Sequence, residues 1–374
     1  MKIIESTSRS QTDAVCNAGY PTVTTRFEWL LTTAVLWLVF GVFVDGWAHN
    51  NVPELIETFF TPWHAVLYSG FAATALVLGI GYVGNLKAGY HWRRGLPKAY
   101  LWSIVGVVIF TVAGNMDLIW HELFGFEEDV EALLSPSHLL LATGGVLIAS
   151  TILRAKWQDV SIREFVNCVN WHTFAPLFLS FFSVLALVTF FGQFANAFTH
   201  PNLFSDFHPV GDSFFHDVTL ISAVLLPTAV IMGFTMALLR RWTVPFGTVM
   251  AILFGNNLLM LVLNWDQSRP YSLILLAPLT AGLLADIALR RWQTAAPSLV
   301  WWRAFSFLLP FTMFGLLFAV LISCFGIWWS IHMWLGVTFL AGLVGLGLNA
   351  LLLPPVPTVV APWYANLLEE SSHE

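Results

Sequence analysis

Charge is scarce in this chain: Asp, Glu, Lys and Arg make up 10% of its 374 residues. Soluble domains carry about a quarter, so an ordinary water-exposed surface is excluded. Nucleic acid is not an expected partner for a chain of formal net charge −6. Cysteine is also rare. Cys16, Cys168 and Cys324 form no CxxC pair, which argues against a disulfide framework and against a thiolate metal site. The first 25 residues hold no apolar core of a signal peptide, so they are expected to form a cytoplasmic tail. Missing too are the HxxxH and HxxHH boxes of membrane di-iron enzymes, GxSxG, HExxH and any phosphate-cradling glycine loop.

Apolar mass is abundant. Hydrophobic residues reach 57%, with 18 Trp and 32 Phe, and the mean hydropathy is +0.74. That composition indicates an all-α polytopic membrane protein whose first partner is the lipid bilayer. Apolar runs near 27–48, 62–85, 99–121, 136–154, 173–196, 216–239, 244–265, 271–289, 304–325 and 332–353 match the length of about 20 residues that a helix needs to cross a bilayer. The expectation is therefore about ten transmembrane helices. Of the 16 basic residues, all but Arg269 fall on one side of this scheme. By the positive-inside rule that side is cytoplasmic, both termini lie on it, and a plasma (inner) membrane is the expected location.

The opposite side collects acids and imidazoles: Asp45, Glu54, Glu57, Asp117, Glu122, Glu127, Glu128, Asp129, Glu131, Asp206, Asp212, Asp217 and Asp266, with His49, His64, His121, His138, His200, His208, His216 and His332. Such a face attracts cations. The acids of the loops, such as the run at 127–131, are read mainly as a solvated surface segment.

Two stretches of this side repeat one pattern. "DGWAH…TPWHAVLYSG" and "DLIWH…SPSHLLLATG" share D-x3-H, a short loop, then [ST]-P-x-H-x4-[ST]-G. Asp45 corresponds to Asp117, His49 to His121, Thr61-Pro62 to Ser135-Pro136, His64 to His138 and Ser69-Gly70 to Thr143-Gly144. An offset of two spans preserves orientation, so the pattern predicts a parallel duplicated helical hairpin, spans 1–2 and 3–4. Asp and His at i and i+4 share a helix face. Thr or Ser followed by Pro is a helix cap and first turn, which sets the second His at the same depth. The resulting layout is a tail over 1–25, a duplicated four-helix unit over 26–154, six further helices over 155–355 and a second cytoplasmic tail over 356–374.

Imidazole and carboxylate ligate Zn, Cu, Fe and Mn, and the lack of Cys or Met in the motif disfavours a Cu(I) shuttle. Asp45, His49, His64, Asp117, His121 and His138 are thus the expected metal ligands. The alternative is that they only cap and join helix ends. Glu122 occurs in one copy and is the candidate proton carrier and catalytic residue, with a variant ligand or plain surface as alternatives.

The D-x3-H…H spacing of Asp45, His49 and His64, and again of Asp117, His121 and His138, resembles the metal site of the C subunit of the particulate methane and ammonia monooxygenases. The resemblance covers these short stretches alone. The family's second interval is shorter, and this chain carries the pattern twice. It implies a copper site bound by one Asp and two His, oxidation of a small apolar substrate, and partner subunits.

Two other readings stay open at this point. Histidines on different spans, such as His49 and His138, are candidates for axial ligands of haem b. Asn256, Asn257, Asn264, Asp266, Gln193 and Asn196 are candidates for the polar pathway of a cation or small-solute permease, although buried amides more often join helices. Trp47, Trp63, Trp120, Phe124, Trp265 and their aromatic neighbours read as an interfacial belt. Arg269 is expected to neutralise Asp266 or to hold a carboxylate.

Overall fold

Apolar sequence with capping residues at its breaks produces helices here. The computed structural model describes residues 19–52, 59–125, 129–158, 171–205, 214–292 and 298–352. The second tail, most of the first, Cys16, Cys168, Glu54, Glu57, Glu127, Glu128, Asp206, His208 and Asp212 lie outside the described residues. Among the described residues there is no strand. The principal helices are α1 (Thr25–Asn51), α2 (Pro62–Lys87), α3 (Lys98–Phe124), α4 (Pro136–Ala149), α5 (Thr151–Gln158), α6 (Trp171–Phe191), α7 (Phe214–Arg241), α8 (Thr248–Leu263), α9 (Leu276–Trp292), α10 (Leu299–Cys324) and α11 (Ile331–Leu352).

Eight helical segments among the described residues are long and apolar enough to cross a membrane: α1, α2, α3, α6, α7, Trp265–Arg291, α10 and α11. The expectation of ten spans is therefore met only in part. The run at 136–154 is a pair of helices, α4 and α5, bent by 48°. The run at 244–265 yields α8, of only 16 residues, or about 24 Å at 1.5 Å per residue against a hydrocarbon core of about 30 Å.

The bend has a local cause. Ser180 of α6 donates to the Ala149 carbonyl at 2.5 Å and accepts from the Leu153 N–H at 3.1 Å. Its hydroxyl thus sits inside what would be an i→i−4 hydrogen bond, a known way to kink a helix. The short α8 has a cause as well. Asp286 of α9, buried, accepts from the backbone N–H of Val249 at 3.1 Å and of Met250 at 2.9 Å. A carboxylate from a neighbouring helix thereby satisfies a helix start that lies inside the bundle.

Helices α1 and α2 run antiparallel in close contact, with Gly41 beside Leu67 and Gly70 beside Leu38. A Cβ on Gly70 would meet the Leu38 backbone nitrogen at 2.6 Å, and one on Gly144 would meet that of Phe110 at 2.9 Å. Gly70 and Gly144 hold the same place in the two sequence patterns, so each pair uses glycine at the same point of backbone approach. Helix α6 packs on α1 and α4, and the second half runs α8 to α9, α9 to α10, α10 to α11 and α11 to α7. Large apolar side chains such as Trp37, Phe40, Leu76, Val108 and Val112 face outward, which suits lipid rather than water.

The basic connections meet at one end of the bundle. Lys156 pairs with Glu28 at 2.7 Å, Arg241 donates to the Trp157 carbonyl at 2.7 Å, Arg154 donates to that of Ala99 at 3.2 Å and Arg240 to that of Leu352. The Asp/His motifs occupy the other end of α1 to α4.

Candidate metal centre

Each Asp/His set is assembled by a helix end and the following helix start. Near its C-terminus α1 carries Asp45 and His49 one turn apart. Thr61 caps α2 by accepting the His64 N–H at 3.1 Å, with Pro62 at the first helical position. In the second hairpin Ser135 accepts the His138 N–H at 3.4 Å, again ahead of a proline. Gly125, at φ 81°, ends α3 by donating its N–H to the His121 carbonyl at 3.0 Å. Only glycine adopts that left-handed conformation without strain.

Antiparallel packing then closes both trios. His64 Nε2 lies 3.4 Å from Asp45 Oδ1, His138 Nε2 3.1 Å from Asp117 Oδ1 and His121 Nε2 3.6 Å from Asp117 Oδ1. In Asp45–His49–His64 and in Asp117–His121–His138, one donor atom from each residue lies within 4.8 Å of the others. Donors held tetrahedrally at about 2.1 Å from an ion are about 3.4 Å apart. The carboxylate–imidazole separations are of that size.

In three of the four imidazoles the outer ring nitrogen is engaged. His64 Nδ1 lies 2.6 Å from the Phe59 carbonyl oxygen, His121 Nδ1 3.4 Å from that of Gly125, and His138 Nδ1 2.9 Å from Ser135 Oγ. A carbonyl only accepts, so in His64 and His121 Nδ1 carries a hydrogen and Nε2 is the ring atom that faces the carboxylate. Asp45 Oδ1 and Asp117 Oδ1 are buried and accept no aligned hydrogen bond among the described residues, with Ser137 and the His138 ring the polar side chains nearest the Asp117 carboxyl. A buried carboxylate oxygen in that state is costly. A cation between oxygen and imidazoles removes the cost, so the donor set fits a metal ion.

The two trios are neighbours. The Phe59 ring centroid is 4.8 Å from that of His64 and 6.2 Å from that of His121, so these imidazoles are at most 11.0 Å apart. All six predicted ligands thus come together at one end of four helices.

Glu122 does not join them. Its side chain is exposed beside buried His121 and belongs to neither trio. His216, Asp266, Arg269 and His332 are also exposed and outside both trios, and no ion pair links Asp266 with Arg269 among the described residues. His200 lies beside Asn264, Nδ1 to Nδ2 3.3 Å. The amides considered for a polar pathway join helices and loops: Asn256 accepts from Thr189 at 2.8 Å, Gln193 from Asn50 at 2.8 Å, Asn196 from the Phe198 N–H at 2.9 Å, and Asn264 donates to the Thr199 carbonyl at 3.3 Å.

The sequence assigned Phe59 only to the interfacial aromatic belt and gave no role to Tyr68 or Asp286. Tyr68 was within reach of it, since it follows His64 by one helical turn in HAVLY. Phe59 carries no signal because it acts through its carbonyl, and Asp286 is an isolated acid in an apolar run.

The class defined by fold and site is a helical bundle with membrane-spanning segments and two adjacent Asp/His groups able to hold metal ions. No known protein family, curated protein or solved structure matches this chain.

Proposed function

We propose that this chain is a multi-pass membrane metalloprotein that binds transition-metal ions in two neighbouring sites, Asp45–His49–His64 and Asp117–His121–His138. The reading includes ten membrane passages, both termini and the basic end in the cytoplasm of a plasma (inner) membrane, and two hairpins that arose by duplication. The observation that carries it is the convergence of one carboxylate and two imidazole donors within 4.8 Å in both hairpins, with the outer ring nitrogens of His64, His121 and His138 held. Copper is the favoured ion, because nitrogen and oxygen donors bind it above zinc and iron(II), and because of the resemblance to the copper monooxygenases. Copper would supply one-electron redox chemistry in an oxygenase-type system acting on a small apolar substrate, with partner subunits. Within it the chain's own work is to hold the ions, to orient His64, His121 and His138 through Phe59, Gly125 and Ser135, and to place Glu122 at the exposed rim as proton carrier.

Haem is disfavoured by the carboxylate oxygen 3.1–3.6 Å from imidazole Nε2, which stands where an axially bound iron would be. Transport is disfavoured at Asn256 and Gln193, which accept hydrogen bonds from Thr189 and Asn50 of neighbouring helices.

Metal analysis of protein purified in mild detergent without chelator, alongside an optical spectrum, tests the proposal. The expected content is about two copper ions per chain, falling by about one in His64→Ala and by about one in His138→Ala, since these ions are held by protein donors alone. Equal metal content in the parent and in the doubly substituted folded protein would overturn it, and a Soret band would replace it with haem.

A further inference from the structure

The two trios are alike in ligands but not in surroundings. Tyr68 of α2 leaves its own hairpin and lies over Gly114 of α3, where an added Cβ would meet the Tyr68 hydroxyl oxygen at 3.0 Å and its Cε1 at 2.9 Å. Gly114 precedes Asp117 by three residues and so shares its face of α3. The Tyr68 ring is 6.2 Å from that of His64, 5.9 Å from that of Phe59 and 6.3 Å from that of Phe110, centroid to centroid. This holds the phenol between the two sites. Its hydroxyl is buried and has no hydrogen-bond partner among the described residues.

Counterparts are absent in the other direction. By the offsets of the two patterns, Ala142 stands where a second Tyr68 would be and Val42 where a second Gly114 would be. Hairpin one therefore lends a hydroxyl to hairpin two, and receives none. A buried O–H without a partner costs free energy unless a ligand accepts from it.

We infer that Tyr68 is a positioning residue of the second site, its hydroxyl donating a hydrogen bond to a small oxygen- or nitrogen-donor ligand, such as water or a small anion, beside Asp117, His121 and His138. The inference rests on the metal-site reading above. It makes the second site the one that receives an exogenous ligand, with Gly114 as the residue that leaves room for the phenol.

The test titrates azide into copper(II)-loaded protein in detergent, following the azide-to-copper charge-transfer band, for the parent, Tyr68→Phe, Gly114→Ala and the double variant. Removing the hydroxyl leaves the copper content at the parent level and weakens azide binding about tenfold or more, the loss expected for a hydrogen bond to a charged acceptor. Gly114→Ala, which displaces the phenol, weakens azide to a similar degree, and adds nothing in the Tyr68→Phe background. An unchanged azide affinity in Tyr68→Phe overturns the inference, and so does loss of copper in that variant, since the hydroxyl would then belong to the ion or the fold. A parent that holds no copper removable by His138→Ala sinks the metal-site reading itself, a result distinct from either.

Discussion

At the scale of single residues, the two capping positions make unequal demands. Ser135 caps α4 and also meets His138 Nδ1 at 2.9 Å, whereas Thr61 caps α2 while the Phe59 carbonyl takes His64 Nδ1 at 2.6 Å. Ser135→Ala is expected to weaken metal binding by about 10–100-fold, the usual effect of losing the group that orients a ligand imidazole. Thr61→Ala is expected to cost about 1 kcal/mol of stability through the lost cap with metal affinity nearly unchanged. Competition with a chromophoric chelator reads the first, thermal unfolding in detergent the second. The six clustered Asp and His residues were legible because Asp and His at i and i+4, and a Thr/Ser-Pro start, have fixed geometric consequences. Phe59 was not, since a carbonyl has no identity in sequence, nor was Tyr68, whose partner surface lies on α3.

At the scale of helices, close approach is concentrated at Gly70 and Gly144, and each hairpin should fail separately. Gly70→Val is expected to force α1 from α2 and abolish the first site while the second keeps its ion, and Gly144→Val the reverse, as overpacked contacts cannot close. Metal content of each variant decides this. Asp286→Ala leaves two helix-start N–H groups of α8 without their charged acceptor and is expected to destabilise by about 3 kcal/mol, with Asp286→Asn milder because its amide oxygen still accepts. Thermal unfolding of both variants provides the comparison. Helix positions followed from apolar runs and caps, and eight of the ten expected runs have the length to span. The other two take forms that hydropathy does not foresee, a span bent where Ser180 enters the backbone of the α4–α5 segment and a short helix, α8, whose start is capped by Asp286 inside the bundle.

At the scale of the whole molecule, the proposed topology rests on the scarcity of charge and its division between two ends. In a cysteine-free background, Lys87→Cys and Arg291→Cys are expected to react with an impermeant maleimide only from the cytoplasmic side, and Glu131→Cys and Asp266→Cys only from the other. Labelling of right-side-out and inverted vesicles measures this, and a reversed pattern would overturn the proposed orientation. Composition and hydropathy alone determined that the chain is helical and belongs in lipid, because burying backbone hydrogen bonds in hydrocarbon leaves an isolated apolar run no alternative to helix. Local spacing alone determined which six residues share helix ends. Only the tertiary structure decided that the two trios are neighbours, that Glu122 stays outside them and that Tyr68 crosses from one hairpin to the other. Those relations depend on which helices touch and at what register, and such contacts join residues far apart in the chain that no local period connects.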